Sequence, residues 1–175
     1  MGSTRAALRE CVFVKRVDPA PGQESVWDYP RPPRVEPESR QVTIVFNGAI
    51  IVESSHALRV LETSHPPNVY VPVDDVAPGV LIPNSQQTVC EWKGKAGYWD
   101  VRVGDATSSA AAWGYRAPRN GFEALVDHVS FYPGRMDACY LGDELVVPQP
   151  GSFYGGWITS DVVGPFKGGA GSWGW

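Results

Sequence analysis

The sequence predicts a mainly β domain of antiparallel sheets with one or two short helices. Three observations carry that expectation. Glycine and proline number 19 and 16 in 175 residues, an excess that favours turns over helices. Short β-branched and aromatic runs recur between turn signals from residue 42 to residue 147. Asn47-Gly48 separates two such runs, and that dipeptide suits the positive φ angles of a two-residue hairpin turn. A chain of this length is long enough to close a hydrophobic core of its own.

Residues 1–40 read as an extended, Pro-rich N-terminal arm. Within it, 11–14 (CVFV) form an edge-strand candidate, and Pro30, Pro32 and Pro33 favour extended backbone. A disordered linker is the plain alternative, but Val26, Trp27 and Tyr29 are costly to leave in water. The arm is therefore expected to lie across the domain or across a partner subunit.

The core domain is expected over 41–147. Strands are predicted at 42–46 and 49–52, then a short helix over 54–62 (SSHALRVLE), with Ser54 or Ser55 as N-cap and Ala57, Leu58 and Leu61 as its apolar stripe. His65-Pro66-Pro67 ends it, because a residue before proline is driven from the helical region. Short strands follow at 68–71 and 80–82, divided by turns at Asp74-Asp75 and Pro78-Gly79. The stretch CEWKGKAGYWDVRV (90–103) reads as a hairpin with strands 90–93 and 98–103 around Gly94-Lys95-Ala96-Gly97. That pairing places Glu91 and Lys93 on one face of their strand, within reach of Tyr98 across the turn. A loop at 105–109, a strand at 110–115, a second short helix at 121–128 (GFEALVDH), and strands at 129–132, 136–141 and 145–147 complete the core.

Residues 148–175 form a Gly/Trp-rich C-terminal tail. Low-complexity disorder is one reading of it. Trp157, Phe166, Trp173 and Trp175 are poor solvating residues, so the tail is expected to pack on the core or on a second copy, with glycine letting its backbone approach a sheet.

A formal net charge of -4 and a sequence pI near 5.3 lack the electrostatic footprint of phosphate-backbone binding, so no nucleic-acid partner is expected. Cys11, Cys90 and Cys139 are far apart and form no C-x-x-C pair, which speaks against a zinc knuckle or a disulfide framework. With no signal-peptide core and no membrane-length apolar run, a cytoplasmic protein with no membrane partner is expected.

The ordered motifs SHPPNVYVP, CEWKGKAGYWDV, AAWGYRAP and VSFYPGRMDACYL, followed by PQP, resemble the bacterial and fungal family called domain of unknown function 427, which also carries a nucleotidyltransferase-like label. The resemblance runs from about Val42 to Val147. It implies a β-tent-like arrangement of antiparallel sheets, similar to methionine sulfoxide reductase B and related zinc-bearing domains, although the cysteine pairs of such zinc sites are missing here. It carries no settled activity, and no Gly-rich phosphate loop or paired metal-binding aspartates support the transferase label.

The candidate site is therefore argued from residues. Lys93, partly desolvated beside tyrosines, could hold an anion or act as an acid, and Glu91 could serve as base; a surface ion pair worth about 0–1 kcal/mol is the plainer reading. His65 could shuttle a proton, or simply cap carbonyls at a helix end. Tyr70, Tyr98, Trp113, Tyr115 and Tyr132 are candidate pocket walls, with core packing as the default for such rings. Arg59 is a further ligand-binding candidate, and Arg135 and Asp137 are site or surface charges. Cys90 shares its predicted face with Trp92, which predicts a buried, inert thiol. No metal site and no cofactor are expected, since the three histidines lack ligand spacing. The expected function is binding of a small-molecule ligand, with metal-independent acid-base catalysis on a small polar or anionic metabolite as its enzymatic form. The alternatives are an interaction module forming a homo-oligomer through arm and tail, and nucleotide binding or nucleotidyl transfer.

Overall fold

The computed structural model describes residues 14–175. The strand expected at 11–14 falls on Cys11, Val12 and Phe13, which lie outside the described residues. The molecule is mainly β and is built on two antiparallel sheets. The larger has seven strands in the order β2 (Arg34–Pro37), β5 (Leu58–Leu61), β6 (Asn68–Pro72), β10 (His128–Phe131), β9 (Ala106–Gly114), β8 (Gly94–Val103) and β7 (Leu81–Cys90). The smaller has four, in the order β12 (Glu144–Leu145), β11 (Ala138–Leu141), β3 (Val42–Phe46) and β4 (Ala49–Ser54).

The main core lies between the sheets. Strand alternation points Val42 and Ile44 of β3 inward beside their cross-strand partners Leu141 and Cys139. From the larger sheet Val69, Val71, Val129, Phe131 and Val101 meet them. Asn47 and Gly48 both take positive φ, 48° and 72°, the conformation a two-residue hairpin of this hand requires.

Two short strand pairs bind the ends of the chain to this core. β1 (Glu24–Ser25) runs parallel to β15 (Val162–Val163), and β13 (Val147–Pro148) pairs antiparallel with β14 (Trp157–Ile158). Val26, Tyr29, Leu61 and Val162 form a third apolar cluster there. Trp157 is 1% exposed and its Nε1 donates to the Phe131 carbonyl at 3.2 Å.

Both expected helices are corrected. Residues 54–62 contain β5, held between β2 and β6. Its stripe is not helical in use: Val60 packs into the cluster on the outer face of the sheet while Leu61 packs against Val26 and Tyr29, so alternate residues find opposite partners. Ser54 Oγ accepts from the His56 N–H and hydrogen-bonds Asp75, which is a turn arrangement and not a helix cap. Residues 121–128 hold a single 3-10 turn at Glu123–Leu125, which buries Leu125 and ends before Asp127 at φ 58°. The acidic turn near Asp74 and the turn at Pro133 are also 3-10 turns, Val73–Asp75 and Pro133–Arg135.

The central hairpin is corrected as well. Cys90 pairs with Gly94, so the turn is Glu91-Trp92-Lys93, with Gly94 at φ 97° closing it. Gly97 lies inside β8 opposite Gly114, and a Cβ on Gly114 would press into the His128 carbonyl and the Trp99 ring. Gly114 therefore answers a packing need, whereas Gly97 has open space around it and belongs to no turn. No helix among the described residues is long and apolar enough to cross a membrane.

Candidate functional site

One register row across the large sheet builds the site. Leu58 pairs with Tyr70, Tyr70 with Ser130, Ser130 with Trp113, and Trp113 with Tyr98. Directly paired residues project to the same face. Tyr70, Trp113 and Tyr98 thus stand in line on the face turned away from the main core, with small Ser130 between the first two rings. Tyr115 joins this second cluster, and Tyr132 packs against Trp113 with ring centroids 4.4 Å apart.

These rings wall a cavity of about 390 Å³. Their polar atoms are largely engaged with protein groups. Trp113 Nε1 donates to the Tyr70 hydroxyl at 3.1 Å, the Tyr98 hydroxyl pairs with Thr88 Oγ1 at 3.0 Å, and the Tyr132 hydroxyl donates to the Phe153 carbonyl at 3.3 Å. Burial pushes the phenols of Tyr70, Tyr115 and Tyr132 well above their usual range, so all three stay neutral at physiological pH. The walls therefore present ring carbon alongside a polar edge formed by Glu62, His65, Asn68, Glu91, Lys93 and Lys167.

Lys93 enters this lining from the β7–β8 turn. The Arg119 N–H donates to the Lys93 carbonyl at 3.0 Å and the Arg119 guanidinium to the Glu91 carbonyl, fixing the turn against the following loop. Lys93 is only 5% exposed. Its ammonium lies 6.0 Å from the centroid of the Tyr115 ring and forms no ion pair with a carboxylate among the described residues. Glu91 is exposed and lines the mouth of the cavity. The expectation that Glu91 and Lys93 share a strand face is thus corrected: both are turn residues, with different surroundings.

His65 reaches the same cavity from the loop after β5. Ser64 takes φ 71°, unusual for a residue with a Cβ, and the turn delivers a ring only 7% exposed. Gln149 sets its tautomer. The Gln149 Oε1 accepts from the Gly156 N–H at 3.0 Å, so its amide nitrogen is the donor, at 2.8 Å to the Lys167 carbonyl and at 3.1 Å to His65 Nδ1. Nδ1 therefore accepts, and the proton of the neutral ring sits on Nε2. Burial, reinforced by the positive charges of Lys167, Arg31 and Lys93, drives the His65 pKa down to about 3. At neutral pH it is an uncharged N–H donor and not a helix-end cap.

The tail supplies the remaining wall. Tyr154, Gly155 and Lys167 line the cavity, and a Cβ on Gly155 would overlap the Trp113 ring. Lys167 is held by its backbone, from its N–H to the Ser64 carbonyl at 2.9 Å and from its own carbonyl to Gln149. Its ammonium donates to the Trp175 backbone oxygen at 2.6 Å. Sequence reasoning missed Lys167 and Gln149. Lys167 is the one basic residue between 148 and 175, and Gln149 sits within the PQP signature; both signals were legible, but not the contact of the tail with 62–66.

The structure brings Lys93, His65, Glu91, Tyr70, Tyr98, Trp113, Tyr115 and Tyr132 to one cavity. Arg59 is not among its lining residues. β5 pairs with β2 so that Arg59 faces Glu36, and its guanidinium is held between Glu36 and Glu24, the latter at 2.9 Å. Arg135 stacks 4.5 Å over the Tyr132 ring and donates to the Ser109 and Ala110 carbonyls, while Asp137 accepts from the Gly48 N–H. Cys90 is half-buried and lines the cavity, where a fully buried thiol was expected; moving the turn to 91–93 puts it at a strand end. Among the described residues no three His, Cys, Asp or Glu side chains converge as a metal-binding group.

Searching the curated proteins found no match to this chain. Residues 34–142 match the family named NTP_transf_9, a span that takes in β2 to β11 and carries most of the cavity wall, but stops short of Tyr154 and Lys167. The chain belongs to the family described as Domain of unknown function (DUF427).

Proposed function

We propose that the cavity on the outer face of the large sheet binds a small anionic molecule, with Lys93 as its countercharge. The observation that carries this reading is a lysine 5% exposed, without a carboxylate partner among the described residues, in an aromatic-walled cavity. Burying a cation is costly unless something offsets the charge, and an entering anion does so. His65 adds an uncharged N–H donor beside it. In the enzymatic form of this proposal, the Lys93 ammonium is the acid and Glu91 the base, without a metal, while the neutral His65 Nε2–H holds the substrate by a hydrogen bond. The free thiols of Cys90 and Cys139 are consistent with the cytoplasm as the working compartment.

A thermal-shift screen of small anions against the wild-type chain and Lys93→Met tests the reading, since a ligand that binds the folded state raises Tm by mass action. Shifts that vanish in the variant are expected. Shifts that persist in full would remove Lys93 from the site.

A second reading, assembly with another copy through arm and tail, draws on Phe153 and Trp173, which are 63% and 83% exposed. It predicts a dimer on gel filtration that Trp173→Ser dissociates. The nucleotidyl-transfer reading suggested by the family's label predicts magnesium-dependent binding of ATP or GTP, measurable by calorimetry.

A further inference from the structure

The geometry points to the class of ligand: we infer that the cavity takes a singly charged acid built on one aromatic ring. This rests on the anion-binding reading above and narrows it.

Charge sets the first limit. Among the described residues, Lys93 is the lining cation whose ammonium makes no hydrogen bond or ion pair to protein, because the Lys167 ammonium is already held by the Trp175 oxygen and Glu62 lies 3.7 Å from Arg31. One uncommitted positive charge and one neutral N–H donor match a single negative charge. They do not match a di- or triphosphate, which calls for a cradle of backbone N–H groups and several cations.

The walls set the second limit. A polyhydroxylated acid must replace each hydrogen bond it loses to water, and a buried polar group left unpaired costs about 1–3 kcal/mol. The hydroxyls of Tyr70, Tyr98 and Tyr132 are already paired with protein groups. Beside the polar edge formed by Lys93, His65, Glu62, Asn68 and Glu91, the walls present ring surface, tilted by 44° between Trp113 and Tyr132, which favours another ring in offset or edge contact. The positive charges around His65 also argue against a quaternary-ammonium ligand, the other usual occupant of an aromatic cage.

Size sets the third. A cavity of about 390 Å³ lies near the lower end of the roughly 300–1,000 Å³ common for ligand pockets, which suits one substituted ring.

The test is isothermal calorimetry on the full chain with benzoate, its neutral isostere benzamide, the polyol acid gluconate, and ATP with magnesium. Benzoate is expected to bind at least tenfold more tightly than benzamide or gluconate, and to lose at least tenfold in affinity in Lys93→Met. The benzoate-to-benzamide ratio in wild type reads the charge without any variant, so a misfolded Lys93→Met would not spare the inference. Gluconate or ATP binding as tightly as benzoate, with the same dependence on Lys93, overturns the aromatic class and leaves the anion reading standing. Benzamide matching benzoate overturns the single-charge assignment. No Lys93-dependent binding of any anion overturns both.

Discussion

Replacing Lys93 with methionine should make this protein more stable. In a folded protein an uncompensated buried charge is a liability, and a residue of similar length without the charge keeps the packing while removing that cost. Lys93 is 5% exposed, and its ammonium lies 6.0 Å from the centroid of the Tyr115 ring, a contact worth only about 0.5–2 kcal/mol. Full burial of an ion costs several kcal/mol even after relaxation. Because the ammonium borders an open cavity, the net gain expected for Lys93→Met is about 1–2 kcal/mol, which for a chain of this size raises Tm by about 2–8 °C. Thermal unfolding followed by tryptophan fluorescence in anion-free buffer measures it directly. A fall in Tm of more than 2 °C would show that Lys93 serves the fold, and the reasoning that sets it aside for a ligand would fail.

Other expectations follow from the same cavity. His65 has its folded pKa pushed below its ordinary value of 6.5, to about 3. The unfolded chain thus binds a proton between those values that the folded chain refuses. The contribution is fully present above pH 6.5 and is lost as pH falls toward 3, at about 1.4 kcal/mol per pH unit; urea melts from pH 7 to pH 4 should show a slope that His65→Gln reduces, and equal slopes would refute it. Gly155→Ala forces a methyl into the Trp113 ring, so a cost of about 1–3 kcal/mol and a changed fluorescence spectrum are expected, whereas unchanged stability would mean the tail stands off the ring. Arg59→Ala leaves Glu24 and Glu36 without their shared guanidinium, which should cost on the order of 1 kcal/mol or more at this half-buried cluster while leaving anion affinity unchanged; calorimetry showing weaker binding would return Arg59 to the site.

Local signals made much of the fold legible. Asn47-Gly48 specifies its turn through backbone conformation, and the alternation in 42–46 sorts Val42 and Ile44 from Thr43 without reference to the rest of the chain. Failures came where tertiary pairing outweighed local preference. The segment SSHALRVLE has a usable helical stripe, yet β2 on one side and β6 on the other make it a strand. Strand β7 includes the polar run Asn84 to Thr88, which no hydrophobic period marks as a strand. Its extension to Cys90 moves the turn and changes the roles of Glu91 and Lys93.

The site was legible to the extent that side chains on neighbouring strands carry it. Tyr70, Trp113 and Tyr98 sit on strands whose pairing lines them up, and each was singled out as an aromatic that could wall a pocket. The long-range closure by the tail was not. Gln149 meets His65 across 84 positions of sequence, and periodicity contains no information about such a contact. Arg59 misled for a related reason: its partner Glu24 belongs to the arm, whose docking beside β15 cannot be read from composition.

The central claim is that an anion occupies this cavity with its charge on Lys93. The most direct measurement is diffraction from crystals soaked in 4-bromobenzoate, where anomalous scattering locates the bromine. A peak among Trp113, Tyr132 and Tyr115, with the carboxylate oxygens within hydrogen-bond distance of Lys93 Nζ, is the predicted result. A ligand seated outside the cavity, or inside it with its carboxylate turned away from Lys93, would contradict the claim.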